Sequence, residues 1–160
     1  MATQTNEYPT KAYGATAPDS GVGPMQITRR GLRHDDVLID ITHCGICHSD
    51  LHASRNDWGF TTYPIVPGHE IVGVVSAVGE GVTRHNVGDR VAIGCMVDSC
   101  LECAHCHAGY EQSCLSGGMT GTYNGKDRRD GSLTMGGYSE RIVAREQFVL
   151  KVPASLPSAE

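Results

Sequence analysis

No apolar run in this 160-residue chain approaches the ~20 residues that a bilayer-spanning helix needs. No basic cluster stands out either. Lys and Arg number 13 against 18 Asp and Glu, a formal net charge of −5, which argues against a nucleic-acid partner. The N-terminal stretch lacks a basic segment followed by an apolar one, so it does not read as a secretory signal, and the chain is expected to be cytoplasmic. There is no internal repeat, no low-complexity tract and no long amphipathic helix. These absences leave a globular protein of one domain or slightly more, with 39% hydrophobic and 19% charged residues.

What the chain does have is glycine and cysteine. Twenty glycines, well above the usual share of ~7%, favour tight corners and a turn-rich β architecture. Seven cysteines in a reducing compartment point to metal or catalysis rather than to disulfides. Four of them, Cys100, Cys103, Cys106 and Cys114, follow a C-x2-C-x2-C-x7-C spacing. Close pairs of thiolates on a turn converge on one point, and the last cysteine closes a loop back to it. That suits a tetrahedral, four-sulfur structural zinc with no open position. The surrounding segment is short and polar, so a bound zinc would stand in for a core. Reduced thiols or local disulfides are the competing reading.

Short strand-like segments separated by Gly and Pro run through the rest of the chain. Val37–Thr42 reads as a largely buried strand. Ile71–Val78 is the strongest strand, apolar or small on both faces, so both faces should be covered. Arg90–Ile93 follows, and two more strands are expected near 138–144 and 147–152. A short helix is expected to open within 44–52, a loop to fill 53–67, and Pro157–Glu160 to begin another helix. His34, His43, His85, His105 and His107 read as surface or loop histidines. The pattern predicts a mainly β, small irregular barrel. Residues 1–10 are expected to be a flexible N-terminus, 11–160 the domain, and 95–116 a zinc lobe within it.

A second constellation surrounds Gly68-His69-Glu70, just after Pro67 and just before the strongest strand. Upstream, Cys47, Ser49, Asp50 and His52 supply a thiol, a hydroxyl, a carboxyl and an imidazole within six residues. One Cys, one His and one acid make the three-ligand set of a catalytic zinc, which keeps a fourth position for water or substrate. Cys47, His69 and Glu70 are therefore the candidate ligands. Asp50 is placed to orient the outer nitrogen of His69, and Ser49 with His52 to carry a proton between a metal-bound alcohol and solvent. Ser49 and Asp50 are also ordinary helix caps, and Cys44 reads as a small buried residue. Cys44-x-x-Cys47-His48 and Cys103-x-x-Cys106-His107 are formally haem-attachment strings. A haem protein would need export and would leave Cys100 and Cys114 unused. A thioredoxin-type dithiol at Cys44 and Cys47 would need a long neighbouring helix.

Together these motifs resemble the zinc-dependent medium-chain alcohol dehydrogenases. The resemblance rests on Gly68-His69-Glu70-x2-Gly73-x5-Gly79-x2-Val82, on the four-Cys intervals and on Cys47-His48-Ser49-Asp50-Leu51-His52. It runs from about residue 10 onward. Tyr63–Glu70, Gly94-Cys95, Thr122–Gly125 and Gly136–Ser139 look most like the cinnamyl-alcohol-dehydrogenase group. The resemblance implies a GroES-like fold, structural and catalytic Zn²⁺, and NADP(H)-dependent interconversion of small-molecule alcohols and aldehydes. It implies ligand roles for Cys47, His69 and Glu70, with Glu70 exchangeable for water, and a proton relay through Ser49 and His52. It puts His48 beside the cofactor pyrophosphate, and Trp58, Phe60, Cys95 and Met119 along the substrate pocket. Members of the family are usually dimers or tetramers. They are more than twice this length, with a Rossmann domain and a further zinc-ligating Cys that have no counterpart here; no G-x-G-x-x-G string occurs. The chain is accordingly expected to be the N-terminal part of a catalytic domain, incomplete and inactive by itself. The competing class is a non-catalytic, zinc-stabilised module that binds a partner.

Overall fold

The computed structural model describes residues 7–156. Among them, nine strands and two short helices follow one another in the order β1 (Tyr8–Gly14), β2 (Gly23–Arg29), β3 (Asp36–Cys44), α1 (His48–Arg55), β4 (Ile71–Val78), β5 (Arg90–Ile93), β6 (Met96–Asp98), α2 (Ala104–His107), β7 (Thr120–Gly121), β8 (Arg141–Arg145) and β9 (Leu150–Lys151). The central antiparallel sheet has the order β8-β3-β4-β5-β9, and two ribbons, β1-β2 and β6-β7, flank it. The β1 ribbon is tied to the end of the sheet by Tyr13 N–H to Tyr138 O (2.7 Å) and Glu140 N–H to Lys11 O (3.0 Å).

The core follows from the two-residue period of the strands. Val37 and Ile39 of β3, Ile71 and Val75 of β4, Val91 and Ile93 of β5, and Ile142 and Ala144 of β8 all project to one side and are buried there. The mainly β expectation holds, and β3, β4 and β5 lie where the apolar pattern puts them.

Several expectations need correction. The second face of β4 is only partly covered: Val74 is 37% exposed, and Val72 borders an open cleft with Ala92 and Leu150. Helix α1 runs to Arg55 rather than giving way to loop at 53, because Asn56 adopts the left-handed conformation (φ 59°) that closes it. The last two strands are shorter and later than expected. Between them, Glu146–Phe148 forms a 3-10 turn, drawn inward by the Glu146 carboxylate, which accepts the Thr83 and Arg84 N–H groups at 2.9 Å each. Tyr8–Thr10 are paired with Ile27–Arg29 in β1 instead of belonging to a loose end. Residues 1–6 and the helix expected at Pro157–Glu160 lie outside the described residues. His85 is no surface residue. It is 4% exposed, and neither ring nitrogen has a hydrogen-bond partner among the described residues.

Candidate metal centres

The lobe between β6 and β7 gathers four cysteines from one short segment. Cys103 precedes the single turn of α2, Cys106 sits on it, and Cys114 follows the next turn. One Sγ from each of Cys100, Cys103, Cys106 and Cys114 lies within 4.8 Å of the other three. Backbone N–H groups aim at the sulfurs: Glu102 and Cys103 at Cys100 Sγ (3.5 and 3.3 Å), Leu115 at Cys103 Sγ (3.4 Å). The two donors on Cys100 lower its thiol to about 6. N–H donors thus favour the thiolate at Cys100 and Cys103, whereas the Cys106 thiol, close to those two sulfurs, is pushed up to about 11. It is the convergence of four sulfurs that fits a zinc ion.

The second centre gathers residues from separate elements. Cys47 is the residue before α1, and its backbone N–H donates to Asp50 Oδ2 (3.0 Å), so Asp50 caps the helix as well as facing the site. His69 and Glu70 stand immediately before β4. Gly68 carries φ 97°, a turn that a side chain would strain, and this presents His69 beside Cys47. One ligand atom from each of Cys47, His69 and Glu70 lies within 4.8 Å of the other two. Glu70 reaches this position only because residue 45 is glycine; a Cβ there would lie 2.1 Å from Glu70 Oε2.

The supporting groups fix tautomer and charge. Asp50 Oδ1 faces His69 Nδ1 at 3.1 Å, which leaves Nε2 as the outward ligand atom. Burial pushes the Asp50 carboxyl up. The N–H groups of Cys47 and Gly68, the Tyr138 hydroxyl and His69 outweigh that and hold it below the usual carboxylate range. Ser49 Oγ donates to Cys47 Sγ at 3.1 Å, as a thiolate would require. One Cys, one His and one acid, with a locked imidazole and an ionised support, fit a zinc with an open position.

The two residues expected to relay protons, Ser49 and His52, both lie on the helix beside this cluster. Ser49 and His52 are three residues apart on one face of α1, and His52 Nδ1 bonds Asp57 Oδ2 at 2.8 Å. His48 is exposed on the first turn, its ring 6.2 Å from His52. Trp58 and Phe60 stack on each other at 5.8 Å, with Trp58 5.6 Å from His52. Cys95 is exposed, and its carbonyl accepts the Thr122 N–H. Met119 lines a cleft with Lys126 and Arg128. Cys44 is half-buried, its thiol pushed up to about 11 by burial, and stands outside the ligand cluster.

Sequence reasoning missed three polar partners. Asp57 folds back on His52 after the left-handed turn at Asn56, a spacing that a helix end could have suggested. Tyr138 donates to Asp50 Oδ2 at 2.9 Å. Tyr123 lies 5.7 Å from the His69 ring. The last two lie in stretches that carry the family resemblance, but they come from distant sequence and nothing local points to their contacts with Asp50 and His69.

The model for the alcohol dehydrogenase GroES-like domain matches residues 33–154. NADP-dependent alcohol dehydrogenase C 1 of Mycolicibacterium smegmatis is 54% identical over 146 residues, covering 91% of this chain and 42% of the relative. Probable cinnamyl alcohol dehydrogenase 5 of Oryza sativa subsp. japonica is 48% identical over 151 residues, 93% of this chain and 42% of its own length. Among solved structures, a cinnamyl alcohol dehydrogenase from Sorghum bicolor superimposes with a TM-score of 0.89 at 42% identity, covering 94% of this chain and 42% of that one. The Helicobacter pylori enzyme complexed with NADP(H) gives a TM-score of 0.90 at 38% identity, covering 95% and 44%. The chain thus spans about two-fifths of the length of the relatives it matches (42%).

Proposed function

The chain belongs to the alcohol dehydrogenase GroES-like domain family, and from that premise we propose that it is the metal-holding catalytic part of a zinc-dependent, NADP(H)-using alcohol dehydrogenase. The substrates we assign are small primary alcohols and their aldehydes, cinnamyl-type or of medium chain length. The convergence of Cys47, His69 and Glu70 beside Ser49 and His52 carries this reading. A purely structural module needs no such cluster once the four-Cys lobe is in place. When bound, zinc supplies a Lewis acid that polarises the substrate oxygen, and NADP(H) supplies or accepts the hydride.

Cys47 and His69 would hold the metal, and exposed Glu70 would yield its place to water or substrate. In alcohol oxidation, Ser49 Oγ takes the substrate's hydroxyl proton as it passes its own to His52. Asp57 holds His52 Nδ1–H, so Nε2 would be the atom that takes the proton from Ser49 and then releases it to solvent. The Trp58–Phe60 stack offers a flat apolar surface for an aromatic ring. Exposed His48 would meet the cofactor pyrophosphate. The preference for NADP(H) rests on the relatives' names. We further assign the whole enzyme to dimers or tetramers, and to a reducing compartment, the cytoplasm, that keeps its thiols available.

Grafted in place of the matching residues of the M. smegmatis relative, this chain should sustain NADPH-dependent reduction of cinnamaldehyde. Cys47→Ser in the graft should abolish it, while the 160-residue chain alone should turn nothing over. Activity surviving Cys47→Ser, or a folded and zinc-loaded graft that reduces no aldehyde, would remove the basis for the proposal.

A further inference from the structure

We propose that Tyr138 is a positioning residue of the Cys47–His69–Glu70 centre: its hydroxyl completes the set of donors that holds Asp50, and through Asp50 both Cys47 and His69, in their metal-binding arrangement. This rests on the metal-centre reading above.

Asp50 is 3% exposed, and four donors meet its two oxygens. Oδ1 accepts the Gly68 N–H at 2.9 Å and faces His69 Nδ1 at 3.1 Å. Oδ2 accepts the Cys47 N–H at 3.0 Å and the Tyr138 hydroxyl at 2.9 Å. An ionised carboxylate offers about four lone-pair sites, so the set is full. Three of the donors belong to the ligands themselves or to the residue before one of them. They move with what Asp50 is meant to hold. Tyr138 is the fourth, 88 residues away in sequence, and among the described residues it bonds Asp50 at hydrogen-bond distance from a separate part of the fold, with the Tyr123 phenol also close enough to feel the carboxylate.

The phenol is itself fixed from behind. Tyr138 N–H donates to Pro67 O (3.0 Å), Gly137 N–H to Gly68 O (2.8 Å) and Gly136 N–H to Val66 O (2.6 Å), so its strap is laced to the segment that ends at His69. Arg29, 8% exposed, spends its guanidinium on the same strap. It donates to Met135 O (2.6 Å), Gly136 O (2.8 Å), Ser139 Oγ (2.8 Å) and Arg141 O (2.9 Å). None of these acceptors is a carboxylate, so this buried cation serves to shape the backbone. The hydroxyl therefore reaches Asp50 from a rigid support. Without it, Oδ2 keeps only the Cys47 N–H, the remaining donors all move with the ligands, and the partner of the His69 ring is held less firmly. Removing an outer partner of a ligating histidine typically weakens metal binding about 10- to 100-fold.

The test is a metal titration of the graft into the M. smegmatis relative described above, unaltered against Tyr138→Phe, which keeps the ring and removes the hydroxyl. Cobalt(II) reports the two centres separately, since four sulfurs and a mixed S/N/O set give different absorption spectra. The expected result is a loss of about 10-fold or more in affinity at the mixed site, with the four-sulfur site and the circular dichroism unchanged. Equal mixed-site affinity in the two proteins would overturn the proposal. So would equal weakening of both sites, or loss of fold, since either makes Tyr138 a general packing residue. An unaltered graft that shows only the four-sulfur spectrum would instead remove the metal-centre reading, and this inference with it.

Discussion

The two centres reach convergence by opposite routes. In the lobe, all four donors come from 100–114, the intervening structure is a single-turn helix and a 3-10 turn, and the hydrogen bonds to sulfur are local. Tyr110 and Leu115 beside them are 57% and 63% exposed, so little apolar burial holds the loop. At Cys47, His69 and Glu70 the donors come from two elements, and their support arrives from as far as Tyr138. In the lobe, a metal would replace the packing that the sequence does not supply. At the second centre, packing and hydrogen bonds already hold the side chains in place, and a metal has only to occupy it. A structural ion and a catalytic one place different demands on a chain, and this one meets them in different currencies of sequence distance.

The largest effect should come from cutting the lobe. Cys103→Ser should lose one zinc per chain and cost about 4 kcal/mol or more, because metal binding there is folding free energy. Thermal unfolding together with elemental analysis measures both, and a loss under about 1 kcal/mol would erase the contrast between the centres.

A smaller effect is expected at the base of the lobe. Asp35 accepts hydrogen bonds from Arg129 and Arg145, and Arg145 also pairs with Asp98 at the end of β6 (2.7 Å). The hydrogen bond from Arg129, then the charges of both arginines, hold the Asp35 carboxyl well below its usual range despite the opposing effect of burial. Its folded value lies below its unfolded one, so the stabilisation is present above about pH 3.9 and is lost as pH falls toward the folded value. Asp35→Asn should cost about 1 kcal/mol at neutral pH and flatten the acid limb of a stability-against-pH curve. An unchanged acid limb would show that the network leaves the lobe's footing untouched.

The smallest change in stability should follow Cys47→Ser. The second centre is held by the fold, so with only the four-sulfur centre loaded, unfolding should shift by no more than about 0.5 kcal/mol, while the variant loses the capacity to take up metal at the mixed site. Destabilisation equal to that of Cys103→Ser would make both centres structural.

The parts of the fold that sequence revealed are those in which one residue's neighbours decide its fate. The apolar runs at 37–42, 71–78 and 90–93 announce strands because alternate positions must be buried together. The lobe is legible because thiol spacing is local. The gathering of Cys47 with His69 and Glu70 could be anticipated from residue types, since Gly68 and Pro67 mark a turn before a strong strand. Tyr138 and Arg29 were silent, because their partners lie 88 and 107 residues away and no pattern records such a bond. His85 misled for a different reason. A polar residue in a Gly-rich loop reads as exposed, yet this loop is drawn down by Gly88 N–H to Val75 O (2.8 Å) and by Glu146, and the ring goes with it. The exposed face of β4 misled in the same way, since an apolar stripe says that burial is favourable and not what lies over it.

The long reach from Arg29 to Gly136 also sets a clock. Closing a loop costs more as it lengthens, and contacts between distant residues form late. The lobe can gather its thiols as soon as Cys114 has left the ribosome. Asp50 must wait for Tyr138 to be made and its strap laid down, so the structural metal should be taken up first during synthesis or refolding. Metal added at timed points of refolding would reveal that order. A nascent chain would thus pass through an interval in which one ion is already held and the place for the other has not yet been shaped.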